Sequence, residues 1–178
     1  MTADPTTVFP GAIRQNGYVV RDLDAAIESW LDLGVGPWIT LGPMEQGMVF
    51  RGEPTALTIT LAFANSGDLQ IELIHQTGDA PSAYKEFLDS GREGFHHLAW
   101  WAEDVAAVEA AVDAAGWPVI FKGDGTSVAA FFYCEAPEVA ATCLEVMELN
   151  EMTQGLADHV RQAADDWDGT TEPVRKLF

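Results

Sequence analysis

Positive charge is scarce in this sequence: 9 Lys and Arg stand against 28 Asp and Glu in 178 residues, a formal net charge of −19. So acidic a molecule repels phosphate backbones and anionic bilayers, which sets nucleic acid and membrane partners aside. It also disfavours a polyanionic substrate such as a CoA thioester unless Arg14, Arg21, Arg51 or Arg92 gather in one place, and no such cluster is visible in the sequence. Long apolar runs are missing as well. Nothing approaches the roughly 20 residues that cross a bilayer, and Met1 to Pro10 has neither the basic region nor the apolar core of a secretion signal, so a cytoplasmic protein is expected. Cysteine is limited to Cys134 and Cys143, neither in a CxxC, which reads as two buried, reduced thiols rather than a disulfide or a zinc knuckle. Low-complexity tracts and long linkers are absent, and the 48% hydrophobic content is that of a globular chain.

What the chain does have is an internal repeat. Gln15-Asn16-Gly17-Tyr18-Val19-Val20-Arg21-Asp22-Leu23-Asp24-Ala25 lies against His97-Leu98-Ala99-Trp100-Trp101-Ala102-Glu103-Asp104-Val105-Ala106-Ala107, 82 positions later. In each copy a short apolar run meets an Asp suited to capping a helix. An amphipathic stretch follows and ends at a glycine, Asp22 to Gly34 and Asp104 to Gly116, again 82 apart. Ile27, Trp30 and Leu31 give the first helix its apolar stripe, and Val105, Val108 and Val112 the second.

Strands are expected next, around Trp38 to Leu41, Leu57 to Ala64 and Leu69 to Ile74, then Pro118 to Phe121, Ser127 to Tyr133 and Thr142 to Met147. The final strands match through Glu72 and Glu145, 73 apart, so the second copy has lost nine residues from its hairpin region. Two βαβββ copies predict an α+β fold, a cupped mixed sheet with helices on its outer face. The expected organisation is a first module at residues 11–78, a linker at 79–94 with a short helix at Ser82 to Leu88, a second module at 95–150 and a C-terminal helical tail at 151–178. That tail carries a helix near Gly155 to Trp167 and packs across the sheet or against a partner subunit.

Side chains alternate between the faces of a strand, so Gln15 shares a face with Gly17 and Val19, His97 with Ala99 and Trp101, Glu72 with Ile74, and Glu145 with Met147. Four polar residues thus take equivalent places on otherwise apolar faces. A buried carboxylate is costly unless paired, and neither final strand carries Lys or Arg. One divalent cation resolves the conflict. Two carboxylates, an imidazole and an amide oxygen suit Zn²⁺, Ni²⁺, Co²⁺ or Mn²⁺ and leave room for water or a substrate oxygen. Each residue also has a plainer reading: a solvated sheet face for Glu72 and Glu145, a satisfied core imidazole for His97, and a strand amide bonded to backbone for Gln15. His96 and His75 have the opposite parity and should face away. Trp101, Phe63 and Tyr133 read as pocket wall, Tyr133 with a hydroxyl that could assist catalysis.

The opening Gln/His-x-Gly-x-x-V-x-D, its second version at His96-His97-Leu98-Ala99, and a Glu in each closing strand resemble the vicinal oxygen chelate superfamily over residues 11 to 150. The resemblance implies a cupped sheet of paired modules whose first and last strands hold a metal, by position Gln15, Glu72, His97 and Glu145. The order Gln, Glu, His, Glu is similar to zinc-type glyoxalase I. It departs from the methylmalonyl-CoA epimerase pattern, which has Gln at the place of Glu72, and from the two His and one Glu of extradiol dioxygenases. Basic residues for glutathione carboxylates are not evident. The resemblance therefore implies a metal-dependent isomerase, epimerase or lyase that moves a proton next to a carbonyl, with Glu145 or Glu72 as base. The expected substrate is a small hydrophobic ketone or similar molecule, and a homodimer is expected. The competing readings are a non-catalytic, antibiotic-sequestering protein with an aromatic cleft and a regulatory subunit with a structural metal.

Overall fold

The computed structural model describes residues 8–126, 129–135 and 141–177. The chain begins with β1 (Gln15–Val19), α1 (Leu23–Asp32), β2 (Trp38–Phe50), β3 (Glu53–Ser66) and β4 (Leu69–Thr77). After α2 (Ala83–Asp89) the pattern recurs as β5 (Gly94–Ala102), α3 (Val105–Ala114), β6 (Val119–Gly123), β7 (Phe131–Cys134) and β8 (Cys143–Glu148). It closes with α4 (Glu151–Asp165) and a short β9 (Val174–Lys176). Asp22 and Asp104 each accept the backbone N–H three residues on, at 3.0 and 2.9 Å. Gly34 and Gly116 turn out of α1 and α3 at φ 79° and 74°, a left-handed conformation that glycine adopts without a Cβ clash.

The strands form one mixed sheet in the order β3-β4-β1-β5-β8-β7-β6-β2-β9, and β2 also pairs with β3. Each copy contributes four strands in equivalent order. The copies meet at the antiparallel β1–β5 pair, and the ring closes where Met48–Phe50 of β2 pairs with Phe121–Gly123 of β6. β2 and β3 run much further than their apolar cores suggested. The strand expected around Trp38 to Leu41 does not stop there: β2 continues through Gly42 and Pro43 with an irregularity between Leu41 and Met44. The turn comes instead at Arg51 and Gly52, both with positive φ, as a two-residue hairpin connection requires. The expected strand start at Ser127 lies outside the described residues.

α1 and α3 cover the outside of the ring as expected. Ile27 packs on Ala62, Ala64, Ile71 and Leu73, while Val108 and Val112 pack on Phe132, Leu144 and Val146. The other two helices work on the inside. Ala83, Tyr84, Phe87 and Leu88 of α2 join Val19, Leu57, Ile59, Ile74 and Phe121 to fill one end of the barrel. At the other end Val160 and Ala163 of α4 pack on Ile39 and Phe63. α4 begins four residues before the expected Gly155, because the Asn150 side chain caps it in a reciprocal box with Thr153. The tail then lies parallel to β2, pairing Trp38 to Thr40 with Val174 to Lys176. No helix among the described residues is long and apolar enough to cross a membrane.

Candidate metal centre and its cavity

Sheet register brings the polar residues together. Gln15 lies across from Ala99, which pairs with Glu145 on its other side, while Gly17 lies between His97 and Glu72. Alternation then turns Gln15, Glu72, His97 and Glu145 into the barrel, where they are 2%, 7%, 0% and 6% exposed. Gly17 shares that face, and its missing Cβ is what makes room: a methyl there would overlap the His97 ring.

Nε2 of His97 lies 3.0 Å from Oε2 of Glu145 and 3.5 Å from Oε2 of Glu72. The proximity to Glu145 is not an aligned hydrogen bond, so His97 Nε2 and Glu145 Oε2 are both buried without one among the described residues. Donor atoms about 2.1 Å from a common ion and set at 90° to 109° stand about 3.0 to 3.4 Å apart. The His97–Glu145 and His97–Glu72 separations are of that size, and the unbonded atoms are the ones a cation would satisfy. One imidazole and two carboxylates within 4.8 Å of one another thus fit a divalent ion. Gln15 stands outside this triad but beside it. Its Nε2 donates to Gln70 Oε1 at 2.7 Å, which fixes the amide and leaves its oxygen as the group available to a cation.

Electrostatics agree with the geometry. Burial pulls the His97 imidazole down, but Glu145 and Glu72 outweigh it and push its pKa up to about 9 without a metal. Burial raises Glu72 above the usual carboxylate range; Glu145 adds to this and His97 opposes it. The site therefore attracts positive charge, whether a proton or a metal ion.

His96 departs from simple alternation. It is skipped in the β1 ladder, where Gly17 pairs with His97 and Tyr18 with Phe95. This bulge lets its ring pack on Phe87 and Tyr84 of α2 while its Nδ1 stands 3.1 Å from Nδ1 of His97. Burial, with the neighbouring His97, holds His96 well below the ordinary imidazole range, so it is neutral and able to accept the His97 Nδ1–H. That tautomer leaves the His97 Nε2 lone pair for a ligand role. His75 faces away as expected, its Nδ1 3.3 Å from the Val20 carbonyl oxygen. Cys134 and Cys143 are free and buried, with Cys143 Sγ 3.6 Å from His96 Nδ1.

Next to the triad is a cavity of about 160 Å³. Leu41, Met48, Ile59, Leu61 and Phe63 form one wall, Phe131, Tyr133 and Met147 the other, and Trp101 and Leu156 also reach it; Glu72 and Glu145 supply its charge. Phe63, Trp101 and Tyr133 are thus pocket wall. Sequence reasoning missed Tyr84, whose hydroxyl lies 3.0 Å from that of Tyr133; it sits in the linker helix, outside the repeat. A second, larger chamber of about 360 Å³ shares Gln70, Trp101 and Ala157 with the first and brings Arg14 and Arg161 together. This basic pair was not visible in the sequence because 147 positions separate its members. Asp68 and Asp158 line the same chamber and offset its charge.

Comparison with known proteins gives this architecture a family. The model of the Glyoxalase/Bleomycin resistance protein/Dioxygenase superfamily matches residues 14–133. The chain belongs to that superfamily. No curated protein matches it. Among solved structures it is similar to methylmalonyl-CoA epimerase from Mycobacterium tuberculosis, at 22% identity and TM-score 0.55, covering 84% of this chain and 95% of that one. A Streptomyces coelicolor methylmalonyl-CoA epimerase variant in complex with 2-nitronate-propionyl-CoA is similar at 23% identity and TM-score 0.57, covering 79% and 95%. A hypothetical protein from Bacillus halodurans C-125 is similar at 18% identity and TM-score 0.56, also covering 79% and 95%. These likenesses concern the fold.

Proposed function

We propose that the chain is a divalent-metal-dependent enzyme of this superfamily, an isomerase, epimerase or lyase that moves a proton next to a carbonyl. The observation that carries this reading is the buried triad, with His97 Nε2 and Glu145 Oε2 close to each other and without a hydrogen bond. Glu72, His97 and Glu145 would hold the ion, with Gln15 as the fourth ligand. When bound, the ion would supply Lewis-acid polarisation of a substrate oxygen.

The remaining steps belong to the side chains. Glu145 lines the cavity where the substrate carbon would lie and is the candidate to take and return the proton, with Glu72 as its counterpart. Burial pushes the Tyr84 and Tyr133 phenols well above their usual range, so both act as proton donors rather than bases. Two hydroxyls carry two protons, and their mutual hydrogen bond uses one. The other is left to donate to an oxygen of the bound molecule or to a neighbouring carboxylate. The apolar walls exclude water and strengthen these interactions.

A small, largely apolar molecule fits this site better than a CoA ester. Typical ligand pockets span about 300–1,000 Å³, against about 160 Å³ here, and the molecule as a whole is strongly acidic. The reading is tested by solvent deuterium exchange into short-chain ketones with the metal-loaded protein. Exchange that depends on both metal and Glu145 is expected; metal binding with no exchange in any ketone tried would favour a binding role.

A further inference from the structure

α4 belongs to neither repeat copy, and it lies beyond the family-matched residues 14–133. Its side chains at 153, 156, 157, 160 and 163 form a stripe at helical spacing. The stripe divides into two parts. Val160 and Ala163 are buried against Ile39 and Phe63 and anchor the helix. Thr153, Leu156 and Ala157 line the cavity that also holds Glu72 and Glu145. Both ends of the segment are fastened. Asn150 and Thr153 form the capping box, and after the helix Trp167 Nε1 donates to the Thr171 carbonyl before β9 pairs with β2. The helix is therefore held as a wall of the cavity.

Resting on the metal reading above, we propose that Leu156 and Ala157 set the length of the substrate. A ligand enters with its oxygen-bearing head at Glu72, His97 and Glu145, and its apolar tail ends against α4. The substrate class is a small oxygen-headed molecule with a short aliphatic tail that the cavity encloses whole. Thr153 Oγ1 is already committed, donating to the Glu148 carbonyl at 2.8 Å, so the wall offers the tail mainly apolar contact.

The probes are straight-chain alkyl hydroxamates of increasing length, which chelate a divalent ion through two oxygens. Their binding to full-length, Co²⁺-loaded protein is measured by calorimetry. A parallel series of 2-alkanones, followed by NMR shifts of the leucine methyls, reads the apolar cavity without needing the metal. Affinity should rise about fourfold for each added CH₂, as burial of that group implies, and then break once the tail reaches α4. Leu156→Ala should move the break to tails about two to three carbons longer. Ala157→Leu should move it to shorter ones, and His159→Ala, on the exposed face, should leave it in place.

The same break in all variants, or no break at all in either series, would overturn the length assignment. So would retained metal with no binding from either series. Loss of hydroxamate binding with a preserved and movable alkanone break would overturn the metal reading while supporting the wall. Thermal melts of Leu156→Ala and Ala157→Leu separate a moved wall from an unfolded one.

Discussion

The two repeat copies agree where the charged groups gather and differ where the cavity is shaped. Both place a polar residue on the opening strand and a Glu on the closing one, and the β1–β5 junction sets these four side by side. Between those strands the copies part company. The first has a hairpin of 13- and 14-residue strands, the second only 5 and 4 residues. The long hairpin crosses to β6, closes the ring and carries β9 and much of the packing of α4. Repetition thus supplies a near-symmetric polar cluster that could hold a cation, while asymmetry supplies one wall of an apolar cavity. On the proposals above, chemistry and substrate selection fall in different parts of the chain, and changes to one part should leave the other measurable.

The sharpest way to break the apparent symmetry is to neutralise each carboxylate in turn. Glu145→Gln keeps the volume and an oxygen that can touch the metal, but loses basicity. It should retain some metal and reduce proton exchange into a bound ketone by at least the roughly 10² to 10⁴ that general-base catalysis contributes. Glu72→Gln is the matched control, equivalent by repeat but not required to share the base role. Unchanged exchange in both, with metal bound, would remove ligand-carboxylate proton transfer from the account.

Adjacent imidazoles give the next test. His97→Ala should lose metal far more than His96→Ala, for which a loss of about 10- to 100-fold is expected from removing an orienting partner. Equal losses measured by competition with a chelating dye would place both rings in the ligand set, and a reversed order would make His96 the ligand. Gly17→Ala probes the strand between them. Its methyl must displace the His97 ring, so the variant should bind metal weakly and lose about 1–3 kcal/mol of stability, as overpacked cores do. Wild-type metal affinity in that variant would show that the ring does not occupy this space.

The smallest effect expected is on pH dependence. With its folded value raised to about 9, His97 in metal-free protein contributes stability that is complete below the unfolded value of about 6.5. This stability is lost as pH rises through about 9. Metal binding needs the neutral imidazole, so it runs the other way: affinity should fall about tenfold per unit as pH drops below about 9 and level off above it. Affinity independent of pH between 7 and 9 would mean that no proton is displaced from His97.

Much of this was legible because it repeats. The Asp caps, the terminating glycines and the inward parity of Gln15, Glu72, His97 and Glu145 follow from two copies of one local pattern. Features that occur once were harder to read. The bulge at His96 is visible only when β1 and β5 are paired, and nothing local marks Gly17 as the space that receives the His97 ring. The run of β2 past Leu41 was not legible because the sequence does not show that β3 would pair on both sides of the irregularity at Gly42 and Pro43. Tyr84 and Leu156 lie in helices with no counterpart in the repeat, and their relation to the site is set by contacts distant along the chain.

The central claim is that the buried triad exists to hold a cation, and elemental analysis of full-length protein purified without chelator tests it most directly. About one equivalent per chain of Zn²⁺, Ni²⁺, Co²⁺ or Mn²⁺ is predicted, present as purified or restored by addition and abolished in His97→Ala. A stoichiometry near zero that none of these ions restores would contradict it.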